Sequence, residues 1–417
     1  MRIWLINNYV TLPRHGQFTR QYSFGKCLKD MGHKPVVFAG SHPHNSRAQL
    51  IKDGRRFAPD DEAPFPWLLV KTLAYGKSRK KQVLSMFQFY LNGKKAAKYA
   101  LERYGRPDAV LGSSAHPLAA LLAVRLAKKY GCRSVVEIRD LWPESIVVYG
   151  IAGPCNPAVI ALRRLEKWLY KNADAVVFTM EGGYDYIVEQ GWEKEIPRSK
   201  VYYINNGVDL EAYQYNREHF QVEDPDLDDP DTFKVVYAGS IRTANGMDQL
   251  VDCAALLRDE PRVKFLIYGD GPDLEALRER VRREGLSNVA LKGRLDKKYI
   301  PYVLSKSSLN VLNYSPKAVA GYRFGSSQNK LFEYLASGKP ILSNVRIGYS
   351  IVDRERCGLS LERADAEAYA EAVLKLSRLP EEEYWELCEN ARRTAREYDF
   401  KKLTRKLVDV MEGIRKL

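Results

Sequence analysis

At 417 residues, 45% of them hydrophobic and 28% charged, the chain has a globular composition but is too long for one ordinary core, so two domains are expected, or three. No apolar run approaches the ~20 residues that span a bilayer. The opening "MRIWLINNYV" is too short an apolar block for a signal peptide and is patterned like a first buried strand, so a cytosolic protein is expected. Cys27, Cys132, Cys155, Cys253, Cys357 and Cys388 lack CxxC or Cys/His spacing, which argues against a zinc site or a disulfide framework and reads as reduced core thiols. Net charge is +14, yet residues 1–215 hold 32 Lys+Arg against 19 Asp+Glu while the remainder hold 34 against 33. The basicity belongs to one half.

From the amino terminus onward, short apolar runs alternate with longer amphipathic segments, the pattern of β-α units around a parallel sheet. Strands are predicted at "RIWLIN", "KPVVFA", "DAVLGS", "RSVVEI", "DAVVFT" and "KVYYIN". Helices fit between them at "TRQYSFGKCLKDMG" and "HPLAALLAVRLAKKYG", with Gly32 and Gly131 placed to end them. An acidic stretch, "VEDPDLDDPDT" (222–232), then breaks the pattern as a solvated linker or surface loop would. Beyond it strands are predicted at "FKVVYAGS", "VKFLIYGDG", "NVALKG", "SLNVLNY" and "KPILSN", and the tail from about Pro380 is helical and charged. The fold class is therefore α/β, with two Rossmann-like doubly wound parallel-sheet domains. Residues 1–213 form the first, 214–395 the second, and 396–417 a closing helix that returns to the first. Such pairs bind ligands in the central cleft that both sheets face.

Residues 67–106 hold ten Lys+Arg and one acid, Glu102, with Trp67, Tyr75, Phe87, Phe89, Tyr90, Tyr99 and Tyr104 interleaved. Anionic lipid and nucleic acid would both attract such a segment, and a solvated helix face would look the same. His116 precedes Pro117 at a helix start, where a packing or capping histidine fits as well as a functional one. Glu137, Arg139, Asp140 and Glu144 crowd a strand end. Carboxylates there could orient a substrate hydroxyl and receive its proton, or belong to a structural network capped by Arg139.

In the second half, "AGSIRTANG", "YGDGP" and "KGR" follow predicted strands, and glycine there lets backbone approach a ligand. Neither GxGxxG after the first strand nor GxxxxGK[ST] occurs, against dinucleotide and P-loop readings. In "RFGSSQNKLFEYLASGKPILSN" (323–344), Ser326 to Lys330 could wrap a diphosphate with amides and the Lys330 ammonium. Glu333, one turn on, suits a ribose diol. Alternatively, Lys330 and Glu333 form an i,i+3 surface ion pair.

Taken together, "SSAHPLAA" (113–120), "VVEIRDLWPES" (135–145), "YINNGVD" (203–209), "YGDGP" and "NKLFEYLASGKPIL" resemble, in order, signature segments of retaining GT-B glycosyltransferases of family four. The likeness is to the bacterial subgroup that builds O-antigen, capsule and colanic-acid sugars, N-acetyl-fucosamine transferases included, and it runs through nearly the entire chain. The resemblance implies that Glu333 binds the donor ribose, Ser327, Gln328, Asn329 and Lys330 face the diphosphate, and backbone at Arg294 and Leu295 holds the base. Gly271 would line the same pocket, and Gly16 resembles the glycine loop over the sugar phosphate. His116 matches the "SSPHPL" histidine that touches the donor sugar.

Two positions depart from the pattern. Gly325 stands where many relatives carry a Glu, and Asn245 where a Lys often accompanies the loop arginine, here Arg242. That residue is expected to carry the catalytic charge with Lys330 unless it is a solvated loop arginine.

The implied activity is transfer of a hexose, N-acetylated or deoxy, from a UDP-sugar to a lipid-linked (polyprenyl diphosphate) saccharide, with retention and by front-face chemistry. Asp140 would serve the acceptor. No cofactor is expected, and without a DxD motif or His/Asp cluster no metal. A lipid-linked acceptor makes an anionic membrane surface, not nucleic acid, the expected partner of residues 67–106, on the cytoplasmic face of the membrane. A GT-B-fold nucleotide-sugar epimerase and a non-catalytic subunit of a polysaccharide assembly are the alternatives.

Overall fold

Ile3, Trp4, Leu5 and Ile6 are all fully buried in β1 (Arg2–Asn7), because this strand is central in a sheet covered on both faces, where apolar residues run on instead of alternating. The computed structural model describes every residue except 17–18, 45–47, 77 and 414–417, and leaves the side chains of 317 and 318 undescribed. Lys77 of the basic segment thus lies outside the described residues. Contacts divide the chain into one unit of Met1–Asn205 with Phe400–Leu417 and another of Asn206–Asp399, against 213/214 and 395/396 expected from the sequence.

In the first unit, α1 (Arg20–Asp30) links β1 to β2 (Lys34–Gly40), and β3 (Phe57–Pro59) and β4 (Trp67–Val70) follow. Next come α2 (Arg79–Tyr104), β5 (Ala109–Ser113), α3 (Pro117–Tyr130), β6 (Arg133–Ile138), α4 (Glu144–Val148) and α5 (Pro157–Asn172). β7 (Ala175–Phe178), α6 (Gly183–Glu189) and β8 (Val201–Tyr203) complete the sheet, in the order β3-β4-β2-β1-β5-β6-β7-β8. All pairs are parallel except β3 with β4. Gly131 ends α3 with φ +59°, donating to Ala127 and Lys128 carbonyls, a left-handed cap that glycine adopts without strain.

The basic segment is not one surface. Trp67 is a buried strand residue, and Tyr75, Phe89 and Tyr90 are buried too, so of its seven aromatics only Phe87 is largely exposed. Cys155 is exposed and Cys132 half-buried, so these two are not core thiols.

The second unit opens with α7 (Leu210–His219) and α8 (Pro225–Asp228), then β9 (Phe233–Ala238), α9 (Met247–Leu256), β10 (Val263–Tyr268), α10 (Leu274–Arg283) and β11 (Val289–Gly293). α11 (Ile300–Lys306), β12 (Leu309–Leu312), α12 (Asn329–Ser337), β13 (Ile341–Ser343), α13 (Ile351–Arg354), β14 (Gly358–Ser360), α14 (Ala366–Ser377) and α15 (Glu381–Glu397) follow. The sheet order is β11-β10-β9-β12-β13-β14, parallel throughout. Because α7 packs on α11 and α12, the whole helix belongs here. α16 (Phe400–Glu412) packs instead on α1, with Phe400 edge-on to Phe24 at 5.5 Å.

The acidic stretch before β9 is a surface segment, with Glu223, Pro225 and residues 228–231 exposed, but it is pinned to the domain rather than free. Asp224 caps α8, Leu227 is buried, and Lys292 lies 2.6 Å from both Asp224 and Asp226. Among the described residues no helix is long and apolar enough to cross a membrane.

Candidate functional site

In the second unit the carboxyl ends of β9 and β10 are locked together through backbone. Ile241 N–H donates to Asp270 O at 2.9 Å, and a Cβ on Gly271 would fall 1.9 Å from Ile241 O. Gly271 is therefore demanded by the neighbouring loop, and its own N–H is taken by the Asp270 carboxylate at 2.7 Å. α12 is tied to the same strand end. Tyr334 Oη accepts from Ala238 N–H at 3.0 Å, while Leu331, Phe332 and Leu335 bury the apolar face of the helix.

This anchoring aims Lys330, in the first turn of α12, at the loop after β9. Its Nζ donates to Tyr237 Oη at 3.0 Å and to Asn245 Oδ1 at 3.4 Å, and lies 4.6 Å from the Tyr237 ring centre. Asn245 is held in turn by donating to Ser240 O and Oγ. Burial pulls the Lys330 ammonium down to about 7, with repulsion from Arg242 adding to it. Arg242 itself is exposed on extended backbone and makes no ion pair or side-chain hydrogen bond among the described residues.

Lys330 and Glu333 do not pair. Glu333 faces Lys297 at 3.1 Å, which ties α12 to the loop carrying Leu295 and Arg294, the latter exposed and without a partner among the described residues. Ahead of the helix, Ser327 O accepts from the Asn206 side chain, Gln328 precedes the first turn on extended backbone with Oε1 buried and unpaired, and Asn329 is exposed. Gly325 has φ +106°, a region closed to side-chain-bearing residues without strain. A glutamate would not sit there in this loop. Tyr237 and Lys297 were missed in the sequence, and Asn245 was singled out only for standing in place of a lysine.

In the first unit, His116 begins α3 with no capping bond, fully buried between the edges of Tyr9 at 5.5 Å and Phe89 at 6.0 Å. Burial alone draws its pKa to about 3, and neither ring nitrogen has a protein partner. It is neutral at physiological pH. Asp140, exposed at the turn after β6, lies close enough to act electrostatically on the Tyr9 phenol, whose pKa is raised first by burial. Those three residues are brought together. Gly16 packs on Thr11, where a Cβ would stand 3.0 Å from Oγ1.

Glu137 is not part of that group. It is fully buried, accepting from Arg20 Nε, Gln21 Nε2 and Ser113 Oγ at 2.8 Å each. Arg20 also donates to the Ile204 and Asn205 carbonyls at 2.8 and 2.6 Å. The network expected around Arg139 is thus capped by Arg20, and Glu144 joins Arg163 at 3.1 Å. Among the described residues no group of three or more His, Cys, Asp or Glu side chains is placed to hold a metal ion.

Residues 15–212 match the family described as Glycosyltransferase Family 4, and residues 232–378 that described as Glycosyl transferases group 1. The chain is 23% identical over 392 residues to "Probable glycosyltransferase WbjE" of Pseudomonas aeruginosa, covering 91% of this chain and 90% of that protein. It is 26% identical over 196 residues to WcaI of Escherichia coli K12, named for colanic acid biosynthesis, covering 45% of this chain and 46% of that one. Among solved structures it resembles sucrose-phosphate synthase of Thermosynechococcus elongatus, with TM-score 0.72, 18% identity, and coverage of 99% and 98%. Anabaena HepE in complex with UDP gives TM-score 0.68 at 14% identity, with coverage of 99% and 100%. The fold is therefore that of GT-B glycosyltransferases. The two matched domain families, both described as glycosyltransferases, follow one another along most of the sequence.

Proposed function

We propose that the enzyme transfers a hexose, N-acetylated or deoxy, from a UDP donor to a hydroxyl of a polyprenyl-diphosphate-linked saccharide, with retention and without a metal, at the cytoplasmic face of the membrane during synthesis of a cell-surface polysaccharide. The carrying observation is the juxtaposition of an exposed guanidinium, Arg242, unpaired among the described residues, with the partly buried ammonium of Lys330 at the carboxyl end of β9. Two cations held close repel each other until an anion arrives. A diphosphate relieves that repulsion, and more so as charge builds on it during departure.

In this reading, amides of Ser327, Gln328 and Asn329 at the start of α12 receive the diphosphate. Glu333 exchanges Lys297 for the ribose diol, and Arg294 and Leu295 offer backbone to the base. Gly271 shapes the pocket wall, and Gly16 the loop over the sugar phosphate. On the first unit, neutral His116 is suited to hydrogen bonding the sugar rather than to donating a full proton, and Asp140 orients the acceptor hydroxyl. The leaving diphosphate takes the acceptor's proton on the same face, which is how configuration is kept. HepE, solved with UDP and with UDP-glucose, supports a UDP donor, and WcaI's name supports a polysaccharide context.

Thermal-shift and calorimetric titrations with UDP, GDP, ADP and dTDP test donor binding, with UDP expected to stabilise most. Product analysis in EDTA, with and without a lipid-linked acceptor, tests the reaction. Failure to bind any nucleotide would point to a non-catalytic subunit, and turnover without acceptor to an epimerase. An inverted anomer would remove retention, and loss of activity in EDTA would remove metal independence.

A further inference from the structure

Monomeric proteins scatter exposed apolar side chains singly, whereas the first unit gathers them in two groups. On α2, Val83, Leu84, Phe87 and Leu91 are 51%, 52%, 51% and 57% exposed. Val83, Phe87 and Leu91 recur at intervals of four, and Leu84, three before Phe87, lies beside them in a single stripe; exposed Lys80, Lys94 and Lys98 share that face. The second group follows β6 and has no part in the site described above. No residue of α4 is buried, Tyr149 and Ile151 just beyond it are each 52% exposed, and α5 presents Ile160, Arg164 and Trp168 outward at intervals of four.

Topology brings the groups to one side. Right-handed crossovers running from β4 to β5, β5 to β6 and β6 to β7 place α2, α3 and α5 on a single face of the sheet, and α3 packs against both neighbours. The first turns of α2 and α5, with α4, lie along the carboxyl edge of the sheet because each follows its strand. Charge on this side is predominantly positive, although Asp140 is exposed just before α4 and Glu195 pairs with Lys167 and Lys171 of α5. Glu144 is neutralised by Arg163, Glu166 is buried between Tyr170 and Tyr186, and Glu102 sits 3.9 Å from Lys98. Arg164 has no ionic partner among the described residues.

We infer that residues 145–151 and the outward face of α5 form a second membrane-insertion element beside α2, so that the first unit seats on an anionic phospholipid bilayer at two points. Tyr149 and Trp168 are the side chains that favour the headgroup level, Ile151 and Ile160 those that enter the acyl boundary, and Arg164 meets lipid phosphate. This rests on the membrane reading given under the proposed function and adds an attachment that salt screens poorly, since burial of apolar surface does not depend on the Debye length. Two points also fix the rotation of the unit on the membrane, which one helix leaves free.

Cys155, exposed and four residues beyond Ile151, offers a native reporter. In a Cys132→Ser background it is labelled with an environment-sensitive nitrobenzoxadiazole dye and mixed with phosphatidylglycerol/phosphatidylcholine or pure phosphatidylcholine vesicles. The expected result is a blue shift and gain of emission with the anionic vesicles alone, quenched by lipids bearing a shallow nitroxide. Tyr149→Ser with Ile151→Ser should lower partition on the order of tenfold or more and leave a residue of binding that salt abolishes. Sedimentation with anionic vesicles without any shift at Cys155 would overturn the second attachment while leaving the α2 reading intact. Absence of sedimentation altogether would overturn both.

Discussion

Lys330 is a lysine whose charge depends on what lies next to it. With its pKa drawn to about 7 by burial, it is neutral in a large fraction of unliganded molecules at neutral pH, and a bound diphosphate restores the proton by favouring the charged form. UDP binding near pH 7.5 should therefore take up protons, seen as a calorimetric enthalpy that varies with the ionisation enthalpy of the buffer. Lys330→Ala should abolish that dependence and weaken UDP by about 1.5–3 kcal/mol, the range for a hydrogen bond to a charged group. Arg242, exposed and unpaired among the described residues, has a different signature. Arg242→Ala is expected to depress kcat more than UDP affinity, because its charge matters most as the sugar–phosphate bond breaks. Single-turnover kinetics beside equilibrium titration would separate the two effects, and wild-type turnover would return Arg242 to the solvent.

At the scale of elements, two buried carboxyl groups do opposite things. Glu137, although burial alone would raise its pKa, is held below the usual range by Arg20 and its hydrogen bonds, and it joins α1, β5 and β6 to the carbonyls at Ile204 and Asn205. Arg20→Ala leaves that carboxylate buried and unpaired, so a loss of about 3–5 kcal/mol in chemical denaturation is expected. Glu166 makes no ion pair among the described residues, and the nearby Arg163, paired with Glu144, only partly offsets its burial. Burial raises its pKa to about 8 from an ordinary 4.5, against the Tyr170 and Tyr186 hydroxyls donating at 2.7 and 2.8 Å. The folded state then keeps a proton that the unfolded chain releases, so this contribution to stability is whole below about pH 4.5 and is lost as pH rises towards 8. The slope approaches −1.4 kcal/mol per pH unit between those limits. Glu166→Gln, which keeps the shape and can serve both tyrosines, should flatten the unfolding free energy between pH 5 and 8; an unchanged slope would locate the titration elsewhere.

Over the whole molecule, the +13 balance of residues 1–215 out of a total of +14 is a property of one end of the chain, and on α2 it borders an apolar stripe. Replacing Arg79, Lys80 and Lys81 with Glu should remove the salt-sensitive part of the binding to anionic liposomes, as salt does, and leave the apolar part made by the second attachment. Wild-type binding is expected to fall as the Debye length shortens from about 30 Å at 0.01 M to 10 Å at 0.1 M. The triple variant should keep its UDP affinity and lose activity only on acceptor embedded in membranes. Liposome binding equal to wild type would make α2 an ordinary solvated helix.

Continuous apolar runs such as "RIWLIN" and "RSVVEI" were enough to identify β1 and β6 residue for residue, because a strand buried on both faces needs no partner to be recognised. Gly131 marked a helix end for an equally local reason, the left-handed turn. "FAP" and "WLLV" (β3 and β4) and "GLS" (β14) were not read as strands, being too short for their pattern to stand out from loops. Partners were beyond reach altogether. Arg20 and Glu137 are 117 positions apart and Lys330 and Tyr237 are 93 apart, and nothing in local periodicity says which buried cation will satisfy which anion. Spacing placed Lys330 and Glu333 on one helix face and allowed an ion pair, but Tyr237 and Asn245 captured the lysine and Lys297 the glutamate. Which aromatics of residues 67–106 face outward was likewise decided by packing against the sheet. Local sequence sets where the backbone can be helix or strand; the pairing of charges and the choice of an exposed face are settled only when distant elements come into contact.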